Sequence, residues 1–165
     1  MRPMRRTNRQ ITDPAEVRAL VERCHTVRVG AVDEDGVFVV PLSFGYEWVD
    51  GCLVLYLHSA GEGRKAEAFS RGPRVAIEMD VELGVITGDY VCAYSFSYQS
   101  IMGSGLISPV ANVDEKRRAL ELIMRHMAPD APCGPSGEFS FPGDAVERVA
   151  IFRIDIDELA AKQRL

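Results

Sequence analysis

Val37-Phe38-Val39-Val40-Pro41-Leu42-Ser43-Phe44-Gly45-Tyr46-Glu47 and Cys52-Leu53-Val54-Leu55-Tyr56-Leu57-His58, with Asp50-Gly51 between them, decide the fold. Both runs are rich in β-branched and aromatic residues, which favour a pleated, half-buried surface. Asp-Gly between two apolar runs is a hairpin signal, because both residues tolerate the positive φ of a tight turn. The two runs are therefore expected to be antiparallel neighbours. Pro41 has no N–H to give to a ladder, so the chain is at a sheet edge or leaving the sheet there.

The same grammar extends in both directions. Upstream, Val27, Val29 and Ala31 alternate with Arg28 and Gly30, and Asp33-Glu34-Asp35-Gly36 supplies the turn into Val37. Before that, Asp13-Pro14-Ala15-Glu16 reads as a helix start, with Asp13 as N-cap and Pro14 at the first helical position. Val17, Leu20, Val21 and Cys24 then share one helical face. Downstream, Ser59-Ala60-Gly61-Glu62-Gly63 is a loop, and Arg64 to Arg71 has helical composition closed by Gly72-Pro73. Arg74 to Asp80 reads as a strand, and Val91 to Ile101 is the longest strand-like run. Gly103 and Gly105 interrupt its continuation to Pro109, which signals a bend, a bulge or a close backbone approach to a ligand. Asp114 to Met127 is a second amphipathic helix, with Val113, Leu120, Ile123, Met124 and Met127 facing inward. Residues 128–145 form a long loop, Val146 to Asp155 a last strand, and the rest a short charged tail. The chain is expected to be mainly β: one domain over 1–165, with six antiparallel strands closing into a barrel and helices at its periphery.

Composition narrows the function. The 165 residues carry 19 Lys+Arg against 24 Asp+Glu, a formal net charge of −5. That balance argues against nucleic acid as a partner, since phosphate-backbone binding needs a basic face. No apolar run reaches the length of a membrane span. Four cysteines, at 24, 52, 92 and 133, show no Cys-x-x-Cys spacing, and the start of the chain has no apolar signal core. Free thiols in a reducing cytoplasm are expected. Arg2, Arg5, Arg6 and Arg9 make a basic N-terminal arm, expected to pack on its own protein or on a partner subunit.

The segment richest in chemistry is Tyr56-Leu57-His58-Ser59-Ala60-Gly61-Glu62-Gly63-Arg64-Lys65. A strand ends, a glycine loop turns backbone N–H groups inward, and a helix opens with two cations. Cations at a helix N-terminus oppose the macrodipole; a dianion seated among them would reverse that cost. The residues alone leave this phosphate site and a solvated surface pair both open. His58 is either a hydrogen-bonded strand-end group or a proton carrier. His25 and His126 lie near helix ends, where the dipole accounts for them. No histidine–carboxylate set has metal-ligand spacing, so no metal is expected. The N–H and C=O groups around Ser43 to Gly45 are left either for the polar rim of a flat heterocycle or for a plain bend. Nucleophile-elbow and P-loop patterns are lacking, and Gly103-Ser104-Gly105 is too short for a dinucleotide fingerprint.

Three motifs in order carry a resemblance: Val40 to Tyr46, Leu55 to Lys65, and Tyr98-Gln99-Ser100-Ile101-Met102-Gly103-Ser104-Gly105. Together they resemble the pyridoxamine 5′-phosphate oxidase-like FMN-binding split barrels, and among them the nitroimidazole-resistance flavoproteins, over nearly the whole chain. The resemblance implies a homodimer with FMN between the subunits and a small-molecule substrate. Gly63, Arg64 and Lys65 would bind the phosphate with His58 and Ser59 close by. The backbone of Leu42, Ser43 and Phe44 would contact the isoalloxazine ring, and Tyr98, Gln99 and Ser100 would approach it from a strand. His58 would be the catalytic histidine of an FMN-dependent, nitroreductase-like oxidoreductase; the alternatives are a flavin- or haem-binding storage module and a barrel that only dimerises. Two departures stand out. Gln99 replaces an arginine frequent in the family, and the chain ends without the C-terminal extension of true pyridoxamine 5′-phosphate oxidases, which speaks against vitamin B6 oxidation.

Overall fold

The structure is a computed structural model describing residues 4–165, so Arg2 of the basic arm lies outside the described residues. Eight strands form one antiparallel sheet: β1 (Gln10–Ile11), β2 (Val27–Asp33), β3 (Gly36–Leu42), β4 (Phe44–Val49), β5 (Cys52–Ser59), β6 (Arg74–Ile86), β7 (Ser95–Pro109) and β8 (Ala150–Arg164). Four α-helices accompany them: α1 (Pro14–Arg23), α2 (Arg64–Ser70), α3 (Val113–Met127) and α4 (Gly143–Arg148). None of the helices among the described residues is long and apolar enough to cross a membrane.

The strand order is β3-β2-β6-β7-β8-β5-β4, with β1 added to β8. The edge strands β3 and β4 are thus consecutive in the chain and joined by Ser43 alone. This is the split in the barrel, and it divides a run that reads as one strand from 37 to 47. That division and the two-residue β1 raise the count from the expected six strands to eight. Pro41 lies opposite Arg28 on the edge strand β3, the place in a sheet where a proline is tolerated. Asp50 and Gly51 carry φ of +50° and +83°, the positive pair that a two-residue hairpin demands.

β5 explains its unbroken apolar run by being covered on both faces. Leu53, Leu55 and Leu57 point into the barrel core with Phe44, Met79, Ile101 and Phe152. Val54 and Tyr56 point the other way, under Ala119 and Ile123 of α3. α3 lies so close to β4 that a Cβ at Gly45 would sit 2.4 Å from the backbone nitrogen of Ile123. At the other end of the core, Leu20, Val21 and Cys24 bring α1 into it.

Four boundaries differ from the sequence reading. β6 runs past Asp80 to Ile86, and Val91–Ala93 is a 3-10 turn, so β7 begins only at Ser95. Residues 143–148 form α4 across the end of the expected loop and the start of the expected strand, and β8 starts at Ala150 and absorbs the supposed charged tail. Its second half is held by β7 on one side and by β1 on the other, and it buries Ile156 and Ala161. Gly103 and Gly105 serve this pairing. A Cβ at Gly105 would meet the carbonyl oxygen of Asp155 at 2.1 Å, and one at Gly103 that of Glu158 at 2.8 Å, so strand rather than ligand makes the close approach. Directly after the arm, Gln10 and Ile11 join the chain's own sheet opposite Lys162 and Ala161.

Candidate functional site

The β4–β5 ladder brings two of the three motifs together. Its last pair is Phe44 opposite Leu57, so one step further Ser43 comes level with His58. Leu42 belongs to the β3 ladder and Phe44 to the β4 ladder, whereas Ser43 belongs to neither. The Phe44 carbonyl faces Nδ1 of His126 at 2.8 Å.

Along β5, side chains alternate between faces. His58 falls on the face of Val54 and Tyr56, beyond the cover of α3, and is exposed. Ser59 falls on the face of Leu57 and turns inward. It is the one buried polar residue of the described chain, 8% exposed, and its Oγ has no hydrogen-bond partner. A buried hydroxyl without a partner carries a desolvation cost of roughly 1–3 kcal/mol. Gly63 then takes a φ of +93° at the N-cap of α2, with open space where a Cβ would be.

The two cations that follow have different surroundings. Lys65 is half-buried and, among the described residues, makes no ion pair. Arg64 is committed: Nε and Nη2 donate to the two carboxylate oxygens of Asp33 at 2.7 and 2.8 Å, and its guanidinium lies 4.6 Å over the Phe38 ring. Nη2 also reaches the carbonyl of Gly36 at 3.3 Å, at the opposite end of β3 from Leu42. The guanidinium holds the Asp33 carboxyl below the usual carboxylate range. Sequence reasoning treated Arg64 and Lys65 as a pair; the bidentate bond to a residue 31 positions away separates them.

The third motif lies elsewhere in the same chain. Ser59 pairs with Ala150 of β8, whereas Ser100 pairs with Lys162, twelve residues further along that strand. Twelve residues of strand span about 40 Å. Tyr98 stands beside Lys162, whose ammonium lowers the ionisation of its phenol below the ordinary range. Gln99 donates to Gln163 Oε1 at 2.8 Å and accepts from the guanidinium of Arg23. A cation therefore does stand at the position where Gln99 replaces arginine; it comes from the end of α1, 76 residues away.

A histidine cluster absent from the sequence reading sits near the split. The His126 ring spans two main-chain carbonyls, Phe44 at 2.8 Å and Glu22 at 3.2 Å, and so ties α3 to β4 and to α1. Its centroid is 4.5 Å from that of Phe44, 4.9 Å from Tyr46 and 5.7 Å from His25. Among the described residues no group of three or more His, Cys, Asp or Glu side chains is placed to hold a metal ion.

Comparison with known proteins agrees with this architecture. The family model for pyridoxamine 5′-phosphate oxidase matches residues 13–163. No curated protein matches the chain. A solved structure from Bacteroides thetaiotaomicron, described as a candidate 5-nitroimidazole antibiotic resistance protein, is 33% identical with a TM-score of 0.74, covering 93% of this chain and 86% of that one. The flavocytochrome Anf3 of Azotobacter vinelandii is 18% identical with a TM-score of 0.78, over 99% of this chain and 72% of that one. An FAD- and haem-binding protein of Mycobacterium smegmatis is 18% identical with a TM-score of 0.79, over 94% and 73%. At 18% identity the last two speak for the fold alone.

Proposed function

The chain belongs to the pyridoxamine 5′-phosphate oxidase family, and from that premise we propose that it binds FMN and works as an FMN-dependent oxidoreductase on a small molecule, of the nitroreductase-like kind. One observation carries the reading: the orphaned Ser59 Oγ stands at the entrance to a glycine loop that ends on Lys65, a half-buried lysine that makes no ion pair among the described residues. A phosphate would satisfy both, since it accepts from a hydroxyl, from loop N–H groups and from an ammonium.

In this reading Lys65 is the principal charge on the phosphate, with Ser59 and the Gly63 loop completing the cradle. Arg64, neutralised by Asp33, braces the start of α2 and has only its Nη1 edge to spare. Leu42, Ser43 and Phe44 lie against the ring, with Ser43 supplying backbone groups outside both ladders. Bound flavin would supply the electron transfer; the protein supplies orientation and electrostatics. His58, exposed beside Ser43, is the group placed to deliver a proton to a reduced substrate.

Two copies complete the site. Ser100 and Ser59 are some twelve strand residues apart in one chain, so Tyr98, Gln99 and Ser100 serve a given flavin from the partner subunit. An outward apolar sheet face favours such an association: Val37 and Val39 of β3 are 77% and 60% exposed, and Met102 of β7 is 61% exposed.

The test is spectroscopic. The purified protein should carry, or take up, a flavin with its visible absorbance. Once reduced, that flavin should reoxidise on mixing with a nitroaromatic under anaerobic conditions. Tight FMN binding without such reoxidation would favour the storage reading instead. No flavin uptake at all would overturn both.

A further inference from the structure

β8 changes partners along its free edge: its ladder with β5 ends at Asp155, and its ladder with β1 begins at Ala161. Between these two ladders, under the start of α1, lies a cavity of about 540 Å³. Ile11, Val17, Trp48, Leu53, Ile156 and Leu159 give it apolar walls. Trp48 pairs with Leu53, four residues along the hairpin from the Phe44–Leu57 pair at the split, a separation of about 13 Å. The volume lies in the range of small-molecule sites, which combine apolar walls with a few polar groups.

We infer that this cavity binds a small carboxylic acid with an apolar body. The charges of the lining select the sign of the ligand. They are two, Arg18 and Asp157. Each carboxylate oxygen of Asp157 already accepts from Arg74, Oδ1 from Nη1 at 2.8 Å and Oδ2 from Nη2 at 2.7 Å, so that bidentate pair brings no net charge. Arg18, among the described residues, makes neither a hydrogen bond nor an ion pair. One positive charge is left over beside an apolar space, which favours an anion and repels a cation.

The geometry of Arg18 selects the kind of anion. Its guanidinium carbon lies 4.2 Å over the Trp48 ring. Stacking uses the flat face of the cation and leaves its N–H edge open. That edge is a planar fork matching the two oxygens of a carboxylate. The stack also holds a rotamer-rich side chain in place before any ligand arrives, which reduces the entropy lost on pairing. A phosphate monoester would bring a second negative charge with no second unpaired cation in the lining to meet it. The remaining walls are mostly aliphatic and leave water when an alkyl chain is seated against them.

This site does not rest on flavin binding. Trp48 is the single tryptophan of the chain, so its fluorescence reports on this cavity. The experiment titrates octanoate, below its micellar concentration, into the purified protein, with 1-octanol as the uncharged control. Octanoate should change the emission saturably and bind at least about tenfold more tightly than octanol. Arg18→Gln replaces an exposed helix residue by another good helix former, so the variant should fold. It should bring octanoate down to the affinity of octanol, leave octanol within about twofold, and leave FMN affinity within about twofold. An unsaturable or absent response to octanoate, equal affinities for the acid and the alcohol, or undiminished octanoate binding in Arg18→Gln would overturn the assignment. A parallel loss of FMN affinity in that variant would place Arg18 in the flavin site and overturn it as well. Octanoate binding in a protein that takes up no FMN would refute the flavin reading and leave this one standing.

Discussion

Lys65 and Arg64 are adjacent and carry the same charge, yet one is free to meet a ligand and the other is tied to Asp33. Lys65→Ala should therefore weaken FMN by about 10- to 100-fold, the worth of a hydrogen-bonded charge, while Arg64→Ala should leave affinity within about threefold. Equal losses, read by flavin fluorescence, would contradict the assignment. His58→Ala should depress turnover more than FMN binding. The depressed Asp33 carboxyl also has a pH consequence: its bond to Arg64 is intact above the usual carboxylate range and is lost only as pH falls through the lowered value. Cys24 makes the opposite case. Burial pushes its thiol up to about 11, so it should resist thiol reagents at pH 8 while the exposed Cys52, Cys92 and Cys133 react. Because the unfolded thiol ionises first, this group's contribution to stability declines as pH rises from about 9 towards 11. Labelling of the native protein followed by mass spectrometry checks the order of reactivity.

Between elements, the tightest tolerance is that of α3 against β4. Gly45→Ala places its methyl against backbone atoms of Leu122 and Ile123, which cannot rotate away, and should cost about 2–4 kcal/mol by chemical denaturation. A loss under 1 kcal/mol would mean that α3 docks more loosely than described. The same elements show what a sequence discloses. Both hairpins were legible because their turns, Asp33 to Gly36 and Asp50-Gly51, act locally on the residues beside them. The break at Ser43 was not, since only the order of strands around the barrel makes it an edge-to-edge crossing. Residues 156–164 read as a tail because Glu, Leu, Ala, Lys and Gln favour helices. Their two ladder partners, β7 and β1, lie far off in sequence and override that propensity. Ser59 and Lys65 were legible as a candidate site because one loop carries both. Arg23, Asp33 and His126 were not, because each meets its partner from 31 to 104 residues away.

For the whole molecule, the decisive feature is the separation of the Tyr98–Ser100 motif from the Ser59–Lys65 loop. If two copies share each flavin, Lys65→Ala and Ser100→Trp should each lose FMN as homodimers. Mixed in equal amounts after dissociation, they should regain about a quarter of the sites, since about half of the dimers are then mixed and one of the two sites in each is wild type at both contributions. Sedimentation should return twice the chain mass for each. A monomer that binds FMN with full affinity would refute the shared site.

The proposed phosphate cradle consists of Ser59, the Gly63 loop and Lys65, and comparing FMN with riboflavin isolates the phosphate, since the two ligands share the same ring. Titrated into the flavin-free protein, FMN should bind at least 100-fold more tightly than riboflavin, with Lys65→Ala removing most of the difference. Equal affinities for the two in the wild-type protein would contradict it.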